Sequence, residues 1–269
     1  MSDLHLYVCQ CPCTSGQAAW AYKVHLPLSF PGSTYSVISF QEHISPLEMF
    51  SKEDWQKDWD ADKDPMFHSK GKNHLLVSHL EKLLAGRKNI KIFFPMCGKM
   101  DDMKWMYDLG HSIVGVEFID KACQQFFTEN GLTAEQLDVP AVNGKLYKTS
   151  DGRMKLYCCS IFDFNKDAEG EFDAIFDRGA YAALTKDLRP KYADLLVSLM
   201  ARDCNYLLNT FQFEEDDKFP NLSREYHNYT LEEINETFSS RNCFIEIIDV
   251  VALEHHGIND RLQLVTRKS

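Results

Sequence analysis

Apolar and polar positions alternate between two textures along most of this chain. Short unbroken apolar runs at 90–94, 113–117, 154–159, 172–177 and 204–211 read as strands buried on both faces. Between them, apolar residues recur three and four apart, the spacing of one helix face. That spacing predicts helices over 74–84, 100–109, 119–130, 186–200 and 231–238. Leu75, Leu76, Leu80, Leu83 and Leu84 form the stripe of the first, and Met100, Met103 and Tyr107 that of the second. Gly86, Gly110 and Gly131 stand where three of these helices should stop. Thr230, with Glu233 three residues on, predicts a capping box at the start of the last. The runs 145–149 and 154–159 flank Ser150-Asp151-Gly152 and read as a hairpin. Two more strands, at 244–251 and 261–266, close the chain. Alternation of this kind implies an α/β fold, a mostly parallel sheet with helices on both faces.

The first 45 residues have neither period. They mix Ser, Pro, Gly and aromatics and hold one lysine, Lys23, and two acids, Asp3 and Glu42. They predict a poorly ordered extension, which leaves 46–269 as the folded domain. A basic start followed by a long apolar core is missing, which argues against a secretory signal. Ser51 before Lys52, Glu53 and Asp54 reads as a helix N-cap with acids in the first turn. Trp55 and Trp59 are four apart and share one face of that helix. They are either a core-facing pair or the cover of a bound cofactor.

Composition narrows the function classes. The formal net charge of −11 argues against nucleic acid, whose binding needs clustered cations. It suits a neutral or cationic ligand, and equally a charge that only maintains solubility. No apolar run approaches the ~20 residues of a spanning helix. Of nine cysteines, Cys158, Cys159, Cys204 and Cys243 lie in apolar strands and read as reduced core thiols of a cytoplasmic protein. Cys9, Cys11 and Cys13 form CQCPC, which is not a zinc spacing.

The candidate chemistry lies between Ile90 and Glu117. There a buried strand runs into the turn Pro95-Met96-Cys97-Gly98-Lys99, then a helix, then a second strand ending on Glu117. In such sheets, ligands bind outside the carboxyl ends of the strands. The turn has one glycine, Gly98, where a dinucleotide pyrophosphate needs several close backbone approaches, so a nicotinamide cofactor is disfavoured. Glu117, nineteen residues after Gly98, can accept both hydroxyls of a ribose, or be a solvated strand end. Arg178 follows another strand and either faces a ligand or pairs with an acid such as Asp177. Neither a metal-ligand spacing nor a nucleophile triad is evident.

The blocks EDWQKDW (53–59), FFPMCGK (93–99), MKWMYDLGHSIVGVE (103–117), LYCCSIFDF (156–164) and FDAIFDRGA (172–180) resemble the thiopurine S-methyltransferase family, within the class I S-adenosylmethionine-dependent methyltransferases. The resemblance covers about residues 50–269. It implies a Rossmann-like seven-stranded sheet with an antiparallel C-terminal hairpin, S-adenosyl-L-methionine as cofactor, and a small aromatic or heterocyclic thiol as acceptor. It implies that Trp55 and Trp59 cover the cofactor, that Met96 and Gly98 form its turn, and that Glu117 holds its ribose. Ser160 and Ile161 would bracket the adenine, Phe67 would touch the acceptor ring, and Arg178 would be the catalytic residue facing it. Methyl transfer is then in line to a substrate thiolate, without a metal and without a strong general base. A monomer is expected, with no nucleic-acid or membrane partner. Met96 stands in the glycine turn where the family more often has Leu, a volume-conserving change. Two departures bear on the acceptor: Trp59 to Phe67 is one residue longer than expected, and the final hairpin loop at 253–258 lacks an arginine. His255 or His256 would stand in for it. Two rivals remain at this point: the same cofactor with another small sulfur or selenium acceptor, and a cofactor-binding protein without turnover.

Overall fold

In the computed structural model, the described residues are 6–10, 20–24, 52–61, 68, 70–213, 229–253 and 258–268. The chain separates into two compact units, Met1–Pro46 and Leu47–Ser269. In the first, β1 (Leu6–Gln10) and β2 (Trp20–Val24) pair antiparallel. The second carries the site.

Its core is a sheet of nine strands. They are β3 (Lys91–Pro95), β4 (Ser112–Glu117), β5 (Glu135–Val139), β6 (Gly144–Lys148), β7 (Met154–Cys158), β8 (Phe172–Arg178), β9 (Met200–Phe213), β10 (Cys243–Leu253) and β11 (Ile258–Arg267). Their order is β10-β11-β9-β8-β3-β4-β7-β6-β5. The five central strands are parallel, and the two outermost on each side run antiparallel to their neighbours. The seven strands and the C-terminal hairpin that the sequence implied are present. The count is corrected to nine by the hairpin strand β6 and by β5, which pairs with it at the far edge. Strand β5 is exposed along nearly its whole length, so it shows no apolar alternation by which to be read.

The central strands are apolar because both of their faces are covered. One face packs under α2 (His74–Ser78), α3 (Leu80–Leu84), α4 (Asp101–Asp108) and α5 (Asp120–Glu129), through Leu76, Leu83, Met103, Met106, Cys123 and Phe126. The other packs under α7 (Arg189–Leu199) and α8 (Leu231–Ser239), through Tyr192, Leu196, Ile234 and Phe238. A short α6 (Lys166–Glu169) leads into β8. The predicted capping box is present: Thr230 Oγ accepts from Glu233 N at 3.1 Å, and the Glu233 carboxylate accepts from Thr230 N at 3.0 Å. The single helix predicted over 74–84 is instead two, broken at His79, whose φ is −120°. His79 Nε2 lies 2.7 Å from Asp249 Oδ2, a tether to β10 that periodicity cannot reveal.

The chain enters the sheet at β3, builds outward through β4 and β7, then returns to the other side of β3 with β8 and β9. The order reverses there, where open α/β sheets leave a crevice beyond their strand ends. Glu117 and Arg178 are the terminal residues of β4 and β8, with β3 between them. Two strand spacings put their backbones about 10 Å apart.

Candidate functional site

A cleft of about 790 Å³, its open mouth included, lies over this reversal. It is lined by the turn after β3 (Met96, Cys97, Gly98, Met100), the end of β4 (Glu117, Phe118) and the end of β8 (Arg178, Gly179, Ala180, Ala183). Trp55 and Trp59, from α1 (Lys52–Asp60), complete it together with His68 and Phe211.

The turn is fixed by Glu117. Its Oε2 accepts from Gly98 N and its Oε1 from Ile119 N, each at 2.8 Å. The main chain adds Cys97 N to Val116 O and Cys159 N to Glu117 O, both at 3.0 Å. Burial raises the Glu117 pKa, and the backbone amides of Ile119, Gly98 and Phe118 act against that rise. An ionised carboxylate has about four acceptor positions, so two remain for hydroxyl donors after the two amides. Gly98 has a φ of +51°, and a Cβ there would meet Trp59 Cζ2 at 3.3 Å. Only a glycine lets the indole lie on this turn without strain. Met96 shares the left-handed region, with φ 44°, and carries the strain that Gly98 avoids.

Trp59 is 3% exposed and packs with Ile119 and Ala122 at the start of α5, with Trp55 and Phe118 against them. The two readings of the tryptophan pair are therefore compatible: Trp59 is buried on its inner side and lines the cleft on another. Cys97 lies beneath the turn, where a Cβ on Gly115 would come within 2.7 Å of its sulfur. Burial raises its thiol pKa well above the ordinary value, so it fills space rather than acting as a nucleophile.

At the β8 end, Asp177, next in sequence to Arg178, lies inside the core. It is fully buried and accepts from Tyr192 Oη at 2.7 Å, Tyr206 Oη at 2.9 Å and the amides of Ala180 and Tyr181. Burial lifts its pKa to about 6 against the pull of those donors. Its neighbour Arg178 lines the cleft.

Of the predicted site residues, the cleft brings together Trp55, Trp59, Met96, Gly98, Glu117 and Arg178. Ser160 and Ile161 are not among its lining residues. They follow β7 one strand beyond Glu117, with Ile161 buried in the core and Ser160 Oγ accepting from Phe162 N at 3.3 Å. Phe118 lines the cleft at this end. Phe67, His255 and His256 lie outside the described residues. Sequence reasoning missed His68, Met100, Phe118 and Phe211. His68 follows Phe67, and its ring centroid is 6.2 Å from that of Trp59. Phe118 and Phe211 are apolar residues at predicted strand ends, Met100 opens a predicted helix, and none carries a chemical signal of its own.

Among the described residues, no group of three or more His, Cys, Asp or Glu side chains is placed to hold a metal ion. No helix among them is long and apolar enough to cross a membrane.

The sequence profile of the thiopurine S-methyltransferase family matches residues 50–243. A probable thiopurine S-methyltransferase of Danio rerio is 35% identical over 80% of this chain and 94% of its own length. The thiopurine S-methyltransferase of Canis lupus familiaris is 41% identical over 61% of this chain and 67% of its own. Among solved structures, magnesium protoporphyrin IX methyltransferase from Synechocystis PCC 6803 with bound SAH superposes with a TM-score of 0.54 at 10% identity, over 75% of this chain and 90% of that one. That likeness concerns the fold.

Proposed function

This chain belongs to the thiopurine S-methyltransferase family, and from that premise we propose that it moves a methyl group from S-adenosyl-L-methionine to the sulfur of a small aromatic or heterocyclic thiol. One observation carries the reading: a single cleft is bounded by a buried, amide-clamped Glu117 and by Arg178, with β3 between them.

The residues fit the cofactor. The two open acceptor positions of Glu117 match a ribose diol. The glycine turn under Trp59 leaves a flat apolar wall for a thioether chain. Glu117 puts negative charge beside a cleft that would receive a sulfonium. Trp55, Trp59, Met96, Gly98, Glu117 and Phe118 would hold it, with Ser160 and Ile161 beyond Glu117 toward the base. When bound, S-adenosylmethionine supplies a methyl carbon made electrophilic by its positive sulfur.

The protein's own share is placement and exclusion of water. Aromatic thiols ionise near neutral pH, so the acceptor arrives largely as thiolate and needs no strong base. Its sulfur lone pair forms the new C–S bond, and the pair of the broken bond leaves with the departing thioether. Arg178 would hold the thiolate or a ring nitrogen by a charge-assisted hydrogen bond. Phe67 would pack on the ring. We place the activity in the cytoplasm, in a monomer: Cys97, Cys123, Cys158, Cys159, Cys204 and Cys243 are free thiols, as a reducing compartment requires. Sedimentation of the purified chain as a dimer would remove the second of these statements.

The test is an acceptor panel with purified protein and S-adenosylmethionine: 6-mercaptopurine, benzenethiol, an aliphatic thiol, sulfide and selenide. The reading expects the ring thiols to be turned over fastest, with one S-adenosylhomocysteine per methyl thioether. Preference for sulfide or selenide would move the acceptor class, and lack of any product at saturating cofactor would reject the reading.

A further inference from the structure

We propose that Ala183 and Phe211 are the two walls of an acceptor slot at the Arg178 end of the cleft, and that Ala183 sets the ring size the slot admits. The proposal rests on the methyl-transfer reading and deepens it, naming residues that select a planar ring thiol over an aliphatic one.

One wall is the turn that follows β8. Ala183 N donates to Gly179 O at 2.9 Å and closes one helical turn. Ala180 N donates to Asp177 Oδ1 at 3.1 Å, which fixes where the turn begins. Residues four apart in such a turn share a face. Gly179 and Ala183 accordingly both line the cleft, together with Ala180. Tyr181, Ala182 and Leu184 are buried in the core instead. The residues this turn gives the cleft carry a methyl group at most.

The other wall is Phe211, which also lines the cleft. Strand β8 ends with Arg178 paired to Asn209, while β9 continues to Phe213. Phe211 therefore stands past the end of β8, and its amide donates to Tyr229 Oη at 2.7 Å. Tyr229 is buried, and its ring meets that of Tyr181 edge-on, with centroids 5.8 Å apart. The Arg189 guanidinium lies over both rings, 5.0 Å from that of Tyr229 and 5.2 Å from that of Tyr181. Tyr181 belongs to the turn that carries Ala183. One buried cluster thus holds both walls in place.

Walls held this way discriminate by shape, because they cannot shift to suit a misfit. A planar ring can stack on Phe211 and lie along the small residues opposite, with its thiolate toward Arg178. An aliphatic thiol forgoes that stacking. A larger side chain at 183 would occupy the space of the ring's edge before it touched a small acceptor. One methylene in a pocket changes discrimination about ten- to 200-fold, and leucine exceeds alanine by more than one.

The experiment compares 6-mercaptopurine, benzenethiol and ethanethiol in wild type, Ala183→Leu, Ala183→Val and Phe211→Ala. Values of kcat/KM are measured with S-adenosylmethionine, and acceptor Kd values on the full chain saturated with S-adenosylhomocysteine. The ratio of 6-mercaptopurine to ethanethiol in kcat/KM should fall at least tenfold in Ala183→Leu and less in Ala183→Val, with benzenethiol intermediate. Phe211→Ala should lower the same ratio severalfold, with the loss in KM. An unchanged ratio in Ala183→Leu or in Phe211→Ala overturns the proposal. A merely structural role would weaken all three acceptors alike and leave the ratio fixed, which also overturns it. If Ala183→Leu does not fold, the same criterion passes to Ala183→Val. Binding without turnover of any acceptor would reject the methyl-transfer reading, while the Kd ratios still decide the slot.

Discussion

Glu117 Oε2 accepts from the Gly98 amide at 2.8 Å, joining the end of β4 to the turn after β3. Buried at 5% exposure, this carboxylate fixes the turn and presents its remaining lone pairs to the cleft. Glu117→Ala should raise the Kd for S-adenosylhomocysteine about ten- to a hundredfold, the range of one or two lost charge-assisted hydrogen bonds. Glu117→Gln, which keeps one acceptor oxygen, should lose less. Calorimetric titration measures both, and equal affinity in all three proteins would return Glu117 to a purely structural role.

Gly98→Ala tests the turn itself. An L-residue at φ +51°, with its Cβ 3.3 Å from Trp59, should cost about 1–2 kcal/mol and lower Tm by a few degrees. Because the indole must shift, cofactor affinity should fall as well. A thermal melt and a titration on the same sample decide whether the two effects travel together, and a full-affinity Gly98→Ala would separate the glycine from the cofactor site.

Trp59→Ala should weaken S-adenosylhomocysteine binding about tenfold, the scale of one lost aromatic wall. Trp59 also packs on Ile119 and Ala122, so Tm should drop with it. Lower Tm with unchanged affinity would leave Trp59 as a core residue alone.

How much of this was legible in the sequence depended on burial. Strands β3, β4, β7, β8 and β9 are covered on both faces, so they declared themselves as apolar runs. So did Glu117 and Arg178, charged residues that terminate such runs. Strand β5 is exposed and gave no signal. The break at His79 coincides with a side-chain contact to Asp249, 170 residues away, which no local pattern encodes. Asp177 looked like a strand-end acid. Its partners Tyr192 and Tyr206 come from α7 and β9, and only the packed sheet brings them to it. The hydrogen bonds from Asn73 to Asp102 and Asn209, and from Asn209 to Asp260, were invisible for the same reason, since they span 29, 136 and 51 residues.

Asp177 also predicts a pH dependence of stability. Its folded pKa of about 6 exceeds the ordinary value of 3.8, so the folded state holds its proton more tightly than the unfolded chain. Its contribution is therefore greatest below about pH 4 and is lost as pH rises to about 6, by about 3 kcal/mol. Relative to wild type, Asp177→Asn should gain stability across that interval and run parallel above it. Denaturant melts at pH 4.5, 5.5 and 6.5 give the difference, and a constant offset at all three would refute the assignment.

The division of the cleft into a Glu117 end and an Arg178 end is tested most directly by Arg178→Ala, read in two ways on one preparation. The account predicts that kcat/KM for 6-mercaptopurine falls at least tenfold, while the Kd for S-adenosylhomocysteine stays within about twofold of wild type. Equal kcat/KM in the two proteins, or a loss confined to cofactor affinity, would contradict it.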